Sequence, residues 1–277
     1  LRLRKNGPSA VCLDISSARK TIMELPQPSR AFLLPCILTV ASLFSGFYSM
    51  VASINGLFYT AAVAIIIAAI FDGLDGRVAR MTGGTSNFGM QLDSLCDMVS
   101  FGVAPGLLAY LWALKPYGRY GWLAAFLYVA TTALRLARFN TLAAAPPPPE
   151  KQKNYDFVGL PCPAAAGAVA TAVMFSRHLG ATGTVKHISI LLLVYLLSYL
   201  MISNHRYRSF KKVHIPRERR FHAVVGIIVT LVVLATEPSV TLFIAALCYA
   251  ASGPLLELWD MLKRKNQPPD DAEQSIK

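Results

Sequence analysis

Charge is scarce in this chain. Only 15% of its 277 residues are Asp, Glu, Lys or Arg, against about a quarter in a soluble globular domain. A surface so poor in charge excludes an ordinary water-facing fold. The 54% of residues that are hydrophobic fall in long blocks rather than short periodic faces, so the solvent implied is a lipid bilayer. A length that would suit one or two soluble domains reads here as one polytopic membrane domain. Cysteine is also sparse. Cys12, Cys36, Cys96, Cys162 and Cys248 contain no CxxC pair, and an odd, scattered set gives no disulfide framework, which leaves them as small hydrophobes. The five histidines fall in or near loops and form no ligand motif. No apolar signal-peptide core is present near the start, because residues 1–30 are mixed and basic. No internal repeat is visible.

What the chain does have is basic charge, net +12. Nucleic acid is rejected as its partner, since the charges sit between apolar blocks. They read as topology signals and as contacts to anionic membrane lipid. About eight apolar segments are expected, near 31–53, 56–76, 91–113, 120–140, 160–177, 187–204, 221–236 and 239–258. Each approaches the ~20 residues that cross ~30 Å of hydrocarbon as a helix. Helices are required because every backbone amide must find its partner within the segment. The fold class is therefore all-α, a polytopic membrane helical bundle. If the N-terminus is cytoplasmic and all eight segments cross, 23 of the 27 Lys and Arg residues fall on the cytoplasmic side. That bias favours both termini inside and places 77–90, 141–159 and 205–220 in the cytosol. The chain then divides into a cytoplasmic arm (1–30), a membrane core (31–220), two further helices (221–258) and a cytoplasmic disordered tail (259–277). The basic stretch from Arg206 to Arg220 reads as a topology anchor beside anionic lipid.

Acidic residues number 15, nearly all in loops or tails. Asp72, Asp75, Asp93 and Asp97 are exceptions, and ionisable groups at membrane depth are costly and usually functional. Asp72 and Asp75 are three apart at the cytoplasmic end of the second segment, and Asp93 and Asp97 four apart at the start of the third. Each spacing puts two carboxylates on one helix face. A short polar connection, Met81 to Phe88, lets the two faces meet. Four clustered carboxylates repel one another, and a hard divalent cation with oxygen ligands, Mg²⁺ or Mn²⁺, offsets that repulsion. Four aspartates around one cavity can hold two ions, an arrangement that clamps both oxygens of a phosphoryl displacement. Gly76 on the helix beside them serves either close approach of a phosphate or ordinary helix packing. Arg80, one turn on, is placed to reach a diphosphate. The competing explanation is an ion pathway in a divalent-metal transporter, which would spread its acids through the bundle rather than gather them at one face.

At these residues the sequence resembles a known family. Asp72-Gly-Leu-Asp75-Gly76-Arg-Val-Ala79-Arg80, then eight residues to Gly89, then Asp93 and Asp97 at intervals of four, matches the CDP-alcohol phosphotransferase signature at all eight fixed positions over 26 residues. The resemblance implies a six-helix membrane core, here with two helices added, a homodimer, and two divalent cations. It also implies displacement of CMP from a CDP-linked lipid or alcohol. By the same resemblance Asp72, Asp75, Asp93 and Asp97 are metal ligands, and Asp97 is also the general base. Gly76, Ala79, Arg80 and Gly89 contact the CDP moiety.

Ser100-Phe-Gly-Val-Ala-Pro105, Arg135-Leu-Ala-Arg138-Phe-Asn140 and Gly159-Leu-Pro-Cys-Pro163 are similar to segments of the bacterial membrane-type phosphatidylserine synthases. So are Leu200-Met-Ile-Ser and Ser209-Phe-Lys211-Lys212. The implied substrates are CDP-diacylglycerol and L-serine, at the inner membrane of a bacterium with the site facing the cytoplasm. Glycerol 3-phosphate, inositol phosphate or choline are the alternative acceptors. One departure stands in the first segment: Pro35-Cys36 and Ser42 occupy positions where many relatives have Pro-Asn and a second Asn. The zwitterionic serine needs a cation for its carboxylate. Arg135 and Arg138 are candidates for it or for a phosphate oxygen, and equally for a positive-inside anchor. Asn140 is a candidate for the ammonium group.

Overall fold

The computed structural model describes residues 30–83, 86–144, 157–180, 188–203, 206–207, 225–226 and 236–265. These residues are helical apart from turns and one two-residue strand pair. The helices are α1 (Arg30–Ile54), α2 (Phe58–Thr82), α3 (Asn87–Asp97), α4 (Ala104–Ala109), α5 (Arg119–Ala144), α6 (Cys162–His178), α7 (Ile188–Ile202) and α8 (Pro238–Lys265). α3 and α4 belong to one rod that runs on through π-helical turns at Met98–Val103 and Tyr110–Leu114 and ends in a 3₁₀ turn at Lys115–Tyr117. Among the described residues, four stretches are long and apolar enough to cross a bilayer: Leu33–Ile54, Phe58–Thr82, Phe88–Tyr117 and Pro238–Leu255. α7 is a shorter apolar helix.

Seven of the eight expected segments thus correspond to described helical rods. The remaining segment, 221–236, lies almost entirely outside the described residues, as do the arm at 1–29 and most of the basic stretch 206–220. Two expectations need correction. α8 continues through Lys265, beyond the expected start of a disordered tail at 259, because nothing after Pro254 breaks a helix until the Pro268-Pro269 pair. The all-helical expectation also missed β1 (Phe157–Val158), which pairs antiparallel with β2 (Arg206–Tyr207). That pairing arises because the loop entering α6 and the loop leaving α7 return to the same end of the bundle. The amide of Leu160 bonds the carbonyl of Leu200 at 3.0 Å.

α1 and α2 pack most closely. The buried stripe on α1 is Thr39, Ser42, Ser45, Ser49, Ala52 and Ser53, and α2 faces it with Ala61, Ala64, Ile65 and Ala68. Small residues let two helix backbones approach where water supplies no hydrophobic force between them. Ser42 closes the seam by donating to the Ala68 carbonyl at 3.0 Å. Gly46 meets the third rod: a Cβ there would lie 2.5 Å from Ser100 Oγ and 2.7 Å from Ser100 Cα. Ser100 in turn donates to the Ser42 carbonyl.

The first π-helical turn has a local cause. Pro105 has no N–H to give to the carbonyl four residues back, and its ring crowds that carbonyl. The carbonyl belongs to Phe101, and the buried Tyr128 hydroxyl of α5 donates to it at 3.2 Å. α6 packs against α2 and, on another face, against α8, where Phe175 stacks on Phe243 with ring centroids 4.9 Å apart.

Candidate active site

Two helix ends build the site. α2 stays helical through Asp72 and Asp75 and stops at Gly83, whose φ of 65° places it in the left-handed region. Ser86 then caps α3, its hydroxyl accepting from the Gly89 amide at 3.0 Å. The connection between the helices is therefore shorter than the expected Met81–Phe88. α2 and α3 thereby turn their acidic side chains toward one another.

The acids converge as a result. One carboxylate oxygen from each of Asp72, Asp75 and Asp93 lies within 4.8 Å of the others. The fourth expected ligand, Asp97, lies outside that group of three and stands beside Asp72. Asp75 is 5% exposed, while Asp72, Asp93 and Asp97 are half-buried. Asp75 accepts from the Thr39 hydroxyl of α1 at 2.8 Å.

The donor set fits a hard cation. It consists of carboxylate oxygens, and ligands about 2.1 Å from a Mg²⁺ ion are at most about 4.2 Å apart. A spread of 4.8 Å is closed to that by small side-chain rotations.

The other expected residues divide into two groups. Gly76 and Arg80 belong together: the space a Cβ would fill at Gly76 is bordered by the Arg80 guanidinium at 3.6 Å and otherwise stays open. Ala79 is half-buried on the same helix, and its carbonyl receives the Gly83 amide. Gly89 is half-buried, with its amide used in capping α3.

The second group is held by structural contacts. Half-buried Arg135 donates to the Met201 carbonyl at 3.3 Å and contacts Cys162. Its guanidinium also occupies the space beside Gly159, where φ is 80° and a Cβ would lie 2.7 Å from Arg135 Nη1. A side chain at 159 would face both a backbone penalty and that clash. Asn140 accepts from Ser94 at 3.0 Å and directs its amide nitrogen to Gln91 at 3.4 Å. Arg138 is exposed on α5, one turn beyond Arg135.

Two contributors went unrecognised in the sequence. Thr39 reaches Asp75 from α1, and Ser94 ties α3 to α5 beside Asp93. The signal for Thr39 was available, since Thr39, Ser42, Ser45, Gly46, Ser49 and Ser53 form a small polar stripe through an otherwise apolar segment. Ser42 and Cys36, the two departures in α1, are buried and half-buried respectively.

Residues 32–200 match the family model described as CDP-alcohol phosphatidyltransferase. The chain belongs to this family. With four helices suited to crossing a bilayer, it is an integral membrane protein. A CDP-diacylglycerol–serine O-phosphatidyltransferase of Helicobacter pylori is 39% identical over 183 residues, covering 66% of this chain and 74% of that one. One from Mycobacterium leprae is 35% identical over 224 residues, covering 80% and 73%. An archaetidylserine synthase of Methanothermobacter thermautotrophicus is 35% identical over 176 residues, covering 63% and 69%.

Proposed function

We propose that this family member transfers the phosphatidyl group of CDP-diacylglycerol to the hydroxyl of L-serine, giving phosphatidylserine and CMP. The observation that carries the reading is the convergence of Asp72, Asp75 and Asp93 from two helices within 4.8 Å. The names of the relatives direct the choice of acceptor: two are CDP-diacylglycerol–serine O-phosphatidyltransferases and one is an archaetidylserine synthase.

Asp72, Asp75, Asp93 and Asp97 would hold two divalent cations, Mg²⁺ or Mn²⁺. When bound, these supply charge neutralisation on the diphosphate and on the departing CMP. Arg80 adds its guanidinium to the diphosphate, and the open face of Gly76 lets that group approach the α2 backbone. Ala79 and Gly89 line the CDP moiety. Asp97 takes the proton from the serine hydroxyl, a poor nucleophile at neutral pH without a positioned base. The serine oxygen bonds to the lipid-side phosphorus, the bridging P–O bond of the diphosphate breaks, and its electron pair leaves with CMP.

Arg138 holds the serine carboxylate. Arg135, already bonded to the Met201 carbonyl, keeps α5, α7 and the segment before α6 in register, and Asn140 sets the α3–α5 spacing beside Asp93. The site faces the cytoplasm of a bacterial inner membrane, by the 23-to-4 partition of Lys and Arg. The protein is a homodimer with eight crossing helices, its basic loops resting on anionic lipid.

An acceptor panel tests the proposal. Membranes containing the protein receive CDP-diacylglycerol, Mn²⁺ or Mg²⁺, and one of serine, glycerol 3-phosphate, inositol phosphate or choline. CMP release with serine alone is the expected result. Release with another acceptor would reassign the substrate, and release with none would favour a metal transporter.

A further inference from the structure

We propose that Thr39 is a positioning residue of the cation site, and that its hydroxyl sets the orientation of the Asp75 carboxylate. This rests on reading the acid cluster as a divalent-cation site. Thr39 lies on α1, which contributes no carboxylate of its own. It is 6% exposed, and its Oγ1 stands 2.8 Å from Asp75 Oδ2 and 3.0 Å from the Pro35 carbonyl. A threonine hydroxyl has one proton to give. The Pro35 carbonyl already receives the Thr39 backbone amide in the ordinary helical pattern, so the hydroxyl proton goes to the charged acceptor, where the bond is stronger.

The bland account is that Thr39 merely bonds back to its own helix, as hydroxyls in apolar helices often do. Ser45, Ser53, Thr171 and Ser198 do so here, each to the carbonyl four residues earlier. Thr39 differs from these four because a carboxylate on a neighbouring helix lies closer to its hydroxyl than that carbonyl does. Thr39 holds one carboxylate oxygen from across the α1–α2 seam, which restrains the rotation of the planar group. The seam is stiff, being built of small residues in close contact. α1 would thereby act on the site through one hydroxyl. Partners of this kind, which orient a metal ligand, typically change metal affinity or activity 10- to 100-fold when removed.

The test uses purified full-length protein in detergent, with Mn²⁺ alone as probe. Bound Mn²⁺ is followed by electron paramagnetic resonance, and unfolding is followed separately in the absence of metal. Thr39→Val keeps the shape and removes the hydroxyl, whereas Thr39→Ser keeps the hydroxyl. The expected result is half-saturation at about tenfold or more higher Mn²⁺ for Thr39→Val, with Thr39→Ser close to the unsubstituted protein and metal-free unfolding little changed. In turnover, the Mn²⁺ midpoint should move by a similar factor while the KM for serine stays put. Equal Mn²⁺ affinity in Thr39→Val and the unsubstituted protein would overturn the inference. So would equal weakening in Val and Ser, which would make shape rather than the hydroxyl responsible. If Thr39→Val does not fold, Thr39→Ala takes its place against Thr39→Ser with the same two outcomes. Failure of the unsubstituted protein to bind Mn²⁺ at all would instead sink the cation reading itself.

Discussion

The two ends of the bundle are fastened by opposite chemistry. At the end where α2 and α5 begin and α6 finishes, charges meet partners. The Arg177 guanidinium sits 4.6 Å over the Tyr59 ring, His178 faces Glu237 at 3.3 Å, and the Tyr195 hydroxyl bonds the Tyr120 carbonyl. At the other end, where α2 finishes and α3 begins, three carboxylates crowd within 4.8 Å, with Asp97 against Asp72. Like charges so close oppose folding in a low-dielectric surrounding. One end is arranged as a stable protein arranges itself, and the other spends stability on a constellation that waits for counter-charge. Such a cluster is a sign of function because packing alone would not produce it.

The strongest way to break this contrast is at the acids. Asp97→Asn should lower CMP release by about a hundredfold or more, the usual worth of a positioned base. Chelation should abolish release in the unsubstituted protein, and added Mn²⁺ or Mg²⁺ should restore it. Next comes the seam that carries α1 past the third rod. Gly46→Val forces atoms into the space held by Ser100 and should cost about 1–3 kcal/mol, read as a lower unfolding midpoint in detergent. A smaller and more selective effect belongs to Arg138→Ala, which should raise the KM for serine more than that for CDP-diacylglycerol; equal effects on both would remove its role at the carboxylate. The smallest lies at the far end. Glu237→Gln breaks a half-exposed pair with His178, worth about 0–1 kcal/mol, and should leave turnover unchanged. A loss of turnover there comparable to that of Asp97→Asn would erase the difference between the two ends.

Much of the acid end was legible in the sequence because helical spacing is a local property. Three and four residues between carboxylates fix a shared face, and a short polar connection between apolar blocks brings two such faces together. The helical class followed equally directly from hydropathy. Contacts that depend on a third helix were not legible. The Thr39 bond to Asp75 spans α1 to α2, and the Ser94 bond to Asn140 spans α3 to α5; no periodicity within one segment reports either. The β1–β2 pair was hidden for a similar reason, since it joins loops far apart in the chain. The π-helical turn after Asp97 was half visible: Pro105 announces a disturbance, but the Tyr128 hydroxyl that accommodates it comes from α5. Arg135 shows the limit of a charge-based reading, because its position on the correct membrane face fits a substrate contact and a structural latch alike, and only the Met201 carbonyl reveals the latch.

The function proposed here requires that carboxylates from α2 and α3 enclose divalent cations between them. Anomalous diffraction at the manganese edge, from crystals soaked in MnCl₂, addresses it without reference to any substrate. Strong peaks bounded by Asp72, Asp75, Asp93 and Asp97 are expected. Manganese bound elsewhere in the bundle with none among these four side chains would contradict it.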